Sequence, residues 1–184
     1  MATAMNSVSL IESRPLVSLP RLDHILFLTD FSTASWAVVP HLAAVAQRYR
    51  STVYVLHVVM PHKFPIVSPE DAPFTFEEAR RRSAQALAKL SRSPAFQEIP
   101  VEPLLAEGEI ADVVNLAVRR RGIDLIVVGT HGRRGFRRLT LGSVAEEVFR
   151  NSRCPVLTVG PHVSAGPGRE LPLRKSRMKS SQAT

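Results

Sequence analysis

The sequence predicts a doubly wound α/β fold, a five-stranded parallel sheet in the order 3-2-1-4-5 with helices on both faces. Between residues 22 and 160, five short and nearly continuous apolar runs alternate with four stretches of helical period. Strands that are apolar at successive positions belong to a sheet covered on both sides, and parallel neighbours need the intervening helices as crossovers. At 184 residues and 45% hydrophobic content, the chain can form one domain with a substantial core.

The first strand is HILFLT, residues 24–29, followed by DFSTASW, where Asp30, Ser32 or Thr33 is suited to cap a helix. Val38, Leu42, Val45 and Tyr49 recur at four-, three- and four-residue steps and form an amphipathic stripe, with Pro40 expected to bend the helix. TVYVLHVV, residues 52–59, is the second strand. A proline-punctuated loop then leads to a helix over 74–92, with Phe76, Ala79, Leu87 and Leu90 as its buried face. Pro100 and Pro103 weaken the third strand, residues 99–108, and suit it to a sheet edge. Ile110, Val113, Val114, Ala117 and Val118 follow the i, i+3, i+4, i+7, i+8 pattern of the next helix. DLIVVG (124–129), GSVAEEVFRN (142–151) and PVLTVG (155–160) supply the fourth strand, fourth helix and fifth strand. Sheets of this kind bind ligands at the carboxyl ends of strands where the order reverses, which places Asp30 and Gly129 across one crevice.

Composition narrows the function. The net charge of +8 suggests nucleic acid until it is divided along the chain, because half of the excess lies in residues 162–184. Arg169, Arg174, Lys175, Arg177 and Lys179 oppose Glu170 alone there, and the segment has no apolar period, so disorder is expected. Residues 1–21 read as an N-terminal extension and 22–161 as the domain. No apolar run reaches the roughly 18 residues of a membrane span, and Glu12 and Arg14 interrupt any signal-like stretch, so a cytoplasmic location is expected. Cys154 is the only cysteine, which excludes an intrachain disulfide and a cysteine-based zinc cage.

The chemistry concentrates in VVGTHGRRGFRRLTLGSVAEEV, residues 127–148. Gly129, Gly132 and Gly142 are spaced G-x-x-G-(nine)-G, with Ser143 opening the following helix. Glycines admit positive φ and close approach of a ligand to the main chain, and a helix start offers unpaired N–H groups and a positive dipole end to an anion. The pattern reads as a phosphate cradle. It is neither a P-loop, since the lysine is missing, nor a dinucleotide fingerprint, since the first strand ends in LTDFS. Spacing alone leaves open that these glycines only turn a loop.

ILFLTDFS, LHVV, AEGEIADVV, DLIVVGTHGRRGFRRLTLGSVAEEV and CPVLTV, in that order, resemble the universal stress protein family over roughly residues 22–160. The glycine pattern is similar to that of the family's ATP-binding branch. The resemblance implies that Asp30, beside Thr29 of the same nucleotide-binding set, contacts the adenosine portion and that Val58 lies against the adenine ring. It further implies that the segment from Gly129 through Thr130 to Gly132 passes the ribose and phosphates, that Gly142 and Ser143 hold the phosphates at the helix start, and that Arg133 and Val144 belong to the same nucleotide-binding set. ATP, with Mg or Mn as an optional companion, is the implied ligand of a sensor or switch that contacts an unidentified protein partner. A homodimer through the last strand is implied as well. Leu28 departs from the family, which often has proline before the Thr-Asp pair.

The remaining candidates carry less. His57 and His62 lack recognisable companion metal ligands, His131 lies inside the glycine loop, and Cys154 reads as core. Arg133, Arg134, Arg137 and Arg138 either attract a polyanion by raising the local potential or form only a mobile basic loop, while the RRR runs at 80–82 and 119–121 read as solvated helix faces. No catalytic set emerges, so any ATP hydrolysis is expected to be slow. The alternatives are an interaction module of the same fold that binds no nucleotide and a nucleic-acid-binding protein, the latter with little aromatic interleaving in its favour.

Overall fold

The structure, a computed structural model, describes residues 21–60, 75–130 and 142–160. Strand β1 (His24–Leu28) is followed by α1 (Thr33–Tyr49), β2 (Thr52–Val59), α2 (Phe76–Ser91), β3 (Val101–Glu107), α3 (Ile110–Arg121), β4 (Leu125–Gly129), α4 (Ser143–Asn151) and β5 (Val156–Val159). A short 3-10 turn, Pro94–Phe96, joins α2 to β3. All strand pairs are parallel and their order is β3-β2-β1-β4-β5, as the sequence predicts.

Two apolar layers sandwich the sheet, and strand alternation assigns each side chain to one of them. Ile25 and Phe27 of β1, with Val53 and Val55 of β2, meet Val38 and Leu42 of α1 and Leu87 and Leu90 of α2. Leu26 and Leu28, with Leu56, Ile126 and Val128, meet Ile110 and Val114 of α3 and Ala145 and Val148 of α4. Both faces of the central strands are therefore covered, which is why β1 is apolar at successive positions. Each such leucine or phenylalanine contributes about 1.5–3 kcal/mol by leaving water.

The helix ends follow local chemistry. Ser32 is the N-cap of α1 and Thr75 that of α2, each side-chain oxygen accepting from the amide three residues on. Gly122 ends α3 at φ 60°, the left-handed conformation that a side chain resists. α1 continues through Pro40, which lies on its exposed face, and Tyr49, expected in the apolar stripe, is exposed at the helix end. At α2, Leu87 and Leu90 are buried, whereas Phe76 and Ala79 are only half-buried. β3 occupies an edge and its residues are nowhere fully buried, in keeping with Pro103 within it and Pro100 just before it.

Candidate functional site

The chain order reverses between β1 and β4, which are neighbours in register from Ile25–Leu125 to Leu28–Val128. One step beyond that ladder stand Thr29 on one strand and Gly129 on the other. On the β1 side, Thr29 donates its amide to Leu56, extending the sheet by one bond of 3.0 Å. The chain then turns sharply. Phe31 has φ 61°, a left-handed conformation costing a non-glycine residue roughly 1–2 kcal/mol. Its amide donates to Thr29 Oγ1 at 3.0 Å. Asp30, half-buried between these two residues, accepts at Oδ1 from the Ser32 amide (3.0 Å) and the Ser35 hydroxyl (2.6 Å). Ser35 is buried, so the carboxylate is oriented from below by α1.

On the β4 side, Thr130 donates its amide to the Val159 carbonyl at 2.9 Å, and its hydroxyl reaches the same oxygen at 3.3 Å. The Thr130 carbonyl in turn accepts from the amide of Gly142 at 2.7 Å. That bond seats the first turn of α4 at the carboxyl end of β4. Gly142 is the N-cap and has no side chain with which to satisfy the helix's first amides. By contrast, the caps of α1 and α2 are serine and threonine, and the Ala111 amide in the first turn of α3 donates to Glu147 of α4 at 3.2 Å.

Gly142 has φ −60° and ψ 149°, an extended conformation open to any residue. The expected need for positive φ therefore does not apply to it, and what glycine supplies there is the missing Cβ. Ser143 is exposed at the helix start, while Val144 and Val58 are half-buried and pack against the same apolar layer on the α3 and α4 face. Thr29, Asp30, Gly129, Thr130, Gly142, Ser143 and Val144 thus gather at the β1 and β4 ends, with Val58 on adjacent β2. Gly132, Arg133, His131, Arg134, Arg137, Arg138 and His62 lie outside the described residues, as do residues 1–20 of the N-terminal extension and the basic tail.

Two residues of this region were not singled out as site residues. Ser35 reads as one more polar residue in a helix start. His57 reads as an ordinary histidine, yet its Nδ1 lies 2.7 Å from the Thr29 carbonyl and its ring 4.4 Å from that of Phe31. The available signal was a single imidazole inside the apolar strand TVYVLHVV.

The basic runs are largely engaged on the surface. Arg81 and Arg82 both bond Glu78, and these bonds hold its carboxyl below the usual range. Arg80 pairs with Glu107 at 2.9 Å, and Arg121 pairs with Glu102 while lying over the Tyr54 ring. Cys154 is buried with its thiol directed at the Ile123 carbonyl, and burial followed by nearby Asp124 pushes its pKa up, away from thiolate chemistry. No described helix is long and apolar enough to cross a membrane. Among the described residues no cluster of three or more His, Cys, Asp or Glu could hold a metal ion.

Known proteins share this fold. The profile described as the universal stress protein family matches residues 21–160. Universal stress protein MJ0531 of Methanocaldococcus jannaschii is 32% identical over 136 residues, covering 73% of this chain and 80% of its own. The solved structure of protein MJ0577, from the same organism, superposes with a TM-score of 0.61 at 27% identity, covering 76% of this chain and 96% of that one. A universal stress protein solved in complex with cAMP shares the fold at 19% identity and a TM-score of 0.58, covering 77% and 98% of the two chains. With the profile spanning the whole sheet from β1 to β5, this chain belongs to the universal stress protein family.

Proposed function

We propose that this protein binds ATP at the carboxyl ends of β1 and β4 and acts as a nucleotide-dependent sensor or switch in a stress response. The observation that carries the reading is the 2.7 Å bond from the Gly142 amide to the Thr130 carbonyl, which holds a helix start without a capping side chain beside the crevice. Such a start attracts phosphate through its free amides and its dipole, and a Cβ at the cap would stand in the way.

The residues fit the ligand in kind. The Asp30 carboxylate suits ribose hydroxyls, Val58 offers an apolar surface to the base, and Ser143 adds a hydroxyl beside the phosphates. Bound ATP would supply a signal in the form of its own presence and a phosphate chain able to carry Mg or Mn. Gly132 and Arg133, within the glycine and arginine segment, would complete the phosphate side. The related protein solved with cAMP agrees in ligand class.

Titration calorimetry with ATP, with and without Mg or Mn, tests the reading. Saturable one-to-one binding is expected, and heats no larger than dilution would leave the chain an interaction module of the same fold. The protein is further proposed to be a homodimer through β5, an edge strand whose Leu157 is 38% exposed and whose Thr158 is also exposed.

A further inference from the structure

We infer that His57 is a positioning residue of the proposed nucleotide site, holding the Thr29–Phe31 turn so that the Asp30 carboxylate faces the ribose. The inference rests on the ATP reading above for its ligand, and on the geometry of the turn for the rest. Along β2, Val53 and Val55 enter the layer beneath α1, and strand alternation sends His57 to that same face. Its successor Val58 belongs to the opposite layer. Consecutive residues of one strand thus serve the two sides of the crevice.

The imidazole makes two separate contacts with the turn. Nδ1 lies 2.7 Å from the Thr29 carbonyl, which can only accept, so Nδ1 carries the proton and donates. The ring also packs against Phe31 with centroids 4.4 Å apart and planes tilted by 36°. Asp30 therefore sits between one residue tied to His57 through its carbonyl and another tied through its ring. Strained left-handed residues persist where surrounding contacts over-determine them, and Phe31 at φ 61° is fixed by this ring and by Thr29 Oγ1. Leucine or valine at position 57 would suit the strand and pack on Phe31, but neither could meet the carbonyl. The donor accounts for a histidine in an otherwise apolar strand.

The test uses the full chain and three variants. His57→Phe keeps a ring and removes the donor, His57→Asn restores a donor near the Nδ1 position, and His57→Gln places its amide farther out. ATP affinity by calorimetry is expected to fall about tenfold in His57→Phe and His57→Gln and to return to within about threefold of the parent in His57→Asn. Amide hydrogen exchange of ligand-free protein is expected to quicken at Phe31 and Ser32 in His57→Phe and His57→Gln only. If His57→Phe does not fold, His57→Gln against His57→Asn carries the same comparison. Parent-like affinity in His57→Phe and His57→Gln overturns the inference, and so does equal loss in all three. If the parent itself binds no ATP, the ATP reading fails, and exchange decides the positioning role: acceleration reversed by His57→Asn upholds it, and unchanged exchange overturns it.

Discussion

The hydroxyl of Ser35 donates to the Asp30 carboxylate at 2.6 Å, joining the first turn of α1 to the end of β1. The same oxygen takes the Ser32 amide, so the carboxylate organises the helix start at the carboxyl end of β1. Asp30→Asn keeps an acceptor for both donors and removes the charge. Stability should fall by only about 0.5–1.5 kcal/mol in urea denaturation, because charge-assisted bonds become neutral ones. ATP affinity should fall about tenfold if the carboxylate holds ribose hydroxyls. A rise in affinity would mean instead that Asp30 only repels the phosphates.

Gly142→Val separates turn from cradle. Valine accepts φ −60° and ψ 149° without strain, so the variant should fold, losing about 1 kcal/mol because valine is a poorer N-cap. Its Cβ and methyls would stand before the first amides of α4, and ATP binding should weaken at least tenfold by calorimetry. Ser143→Ala, which removes one exposed hydroxyl, should cost about 1 kcal/mol of binding. A Gly142→Val protein that binds like the parent would leave the glycine with a turn role only.

Leu157→Lys addresses the edge strand. The side chain is partly exposed on β5, so a monomer tolerates lysine there, whereas an apolar dimer seam does not. Light scattering of the parent at micromolar concentration should give twice the chain mass, and the variant should give one. A parent that is monomeric, or a variant that stays dimeric, rules out this seam.

Cys154 makes stability depend on alkaline pH. Its pKa is raised in the fold by burial, so the folded state prefers the neutral thiol. The stabilisation is fully present below the unfolded thiol pKa, roughly 8.5, and is lost as pH rises through the higher folded value. Urea midpoints from pH 7 to 10 should decline less steeply in Cys154→Ala than in the parent. Reaction of the native thiol with a disulfide reagent should track unfolding.

The sheet order was legible because β1, β2 and β4 are apolar at successive positions, a pattern that only two covered faces require. Pro100 and Pro103 likewise gave away the β3 edge. The tertiary role of His57 was not legible, since its acceptor is a main-chain carbonyl 28 residues away and leaves no trace in periodicity. Nor was the conformation of Gly142: spacing reveals that a glycine stands before a helix, whereas only backbone angles distinguish a need for positive φ from a need for bare space. Tyr49 fitted the α1 stripe by count, but the stripe outlasts the core at the helix end, and the ring emerges into solvent.

The chain of bonds from Gly142 to Thr130 and from Thr130 to Val159 puts the first turn of α4 and the edge strand in mechanical series. Val159 belongs to the strand proposed to pair two copies, and its carbonyl receives both the amide and the hydroxyl of Thr130. If a nucleotide binds at the α4 start and two copies pair through β5, these bonds offer a path between the two events, and thermodynamic linkage requires any coupling to be mutual. Whatever factor ATP applies to the dimerisation constant, dimerisation applies to ATP affinity. Sedimentation equilibrium at several ATP concentrations reads that factor directly, and Thr130→Val, which deletes the hydroxyl link and keeps the main chain, should bring it closer to one.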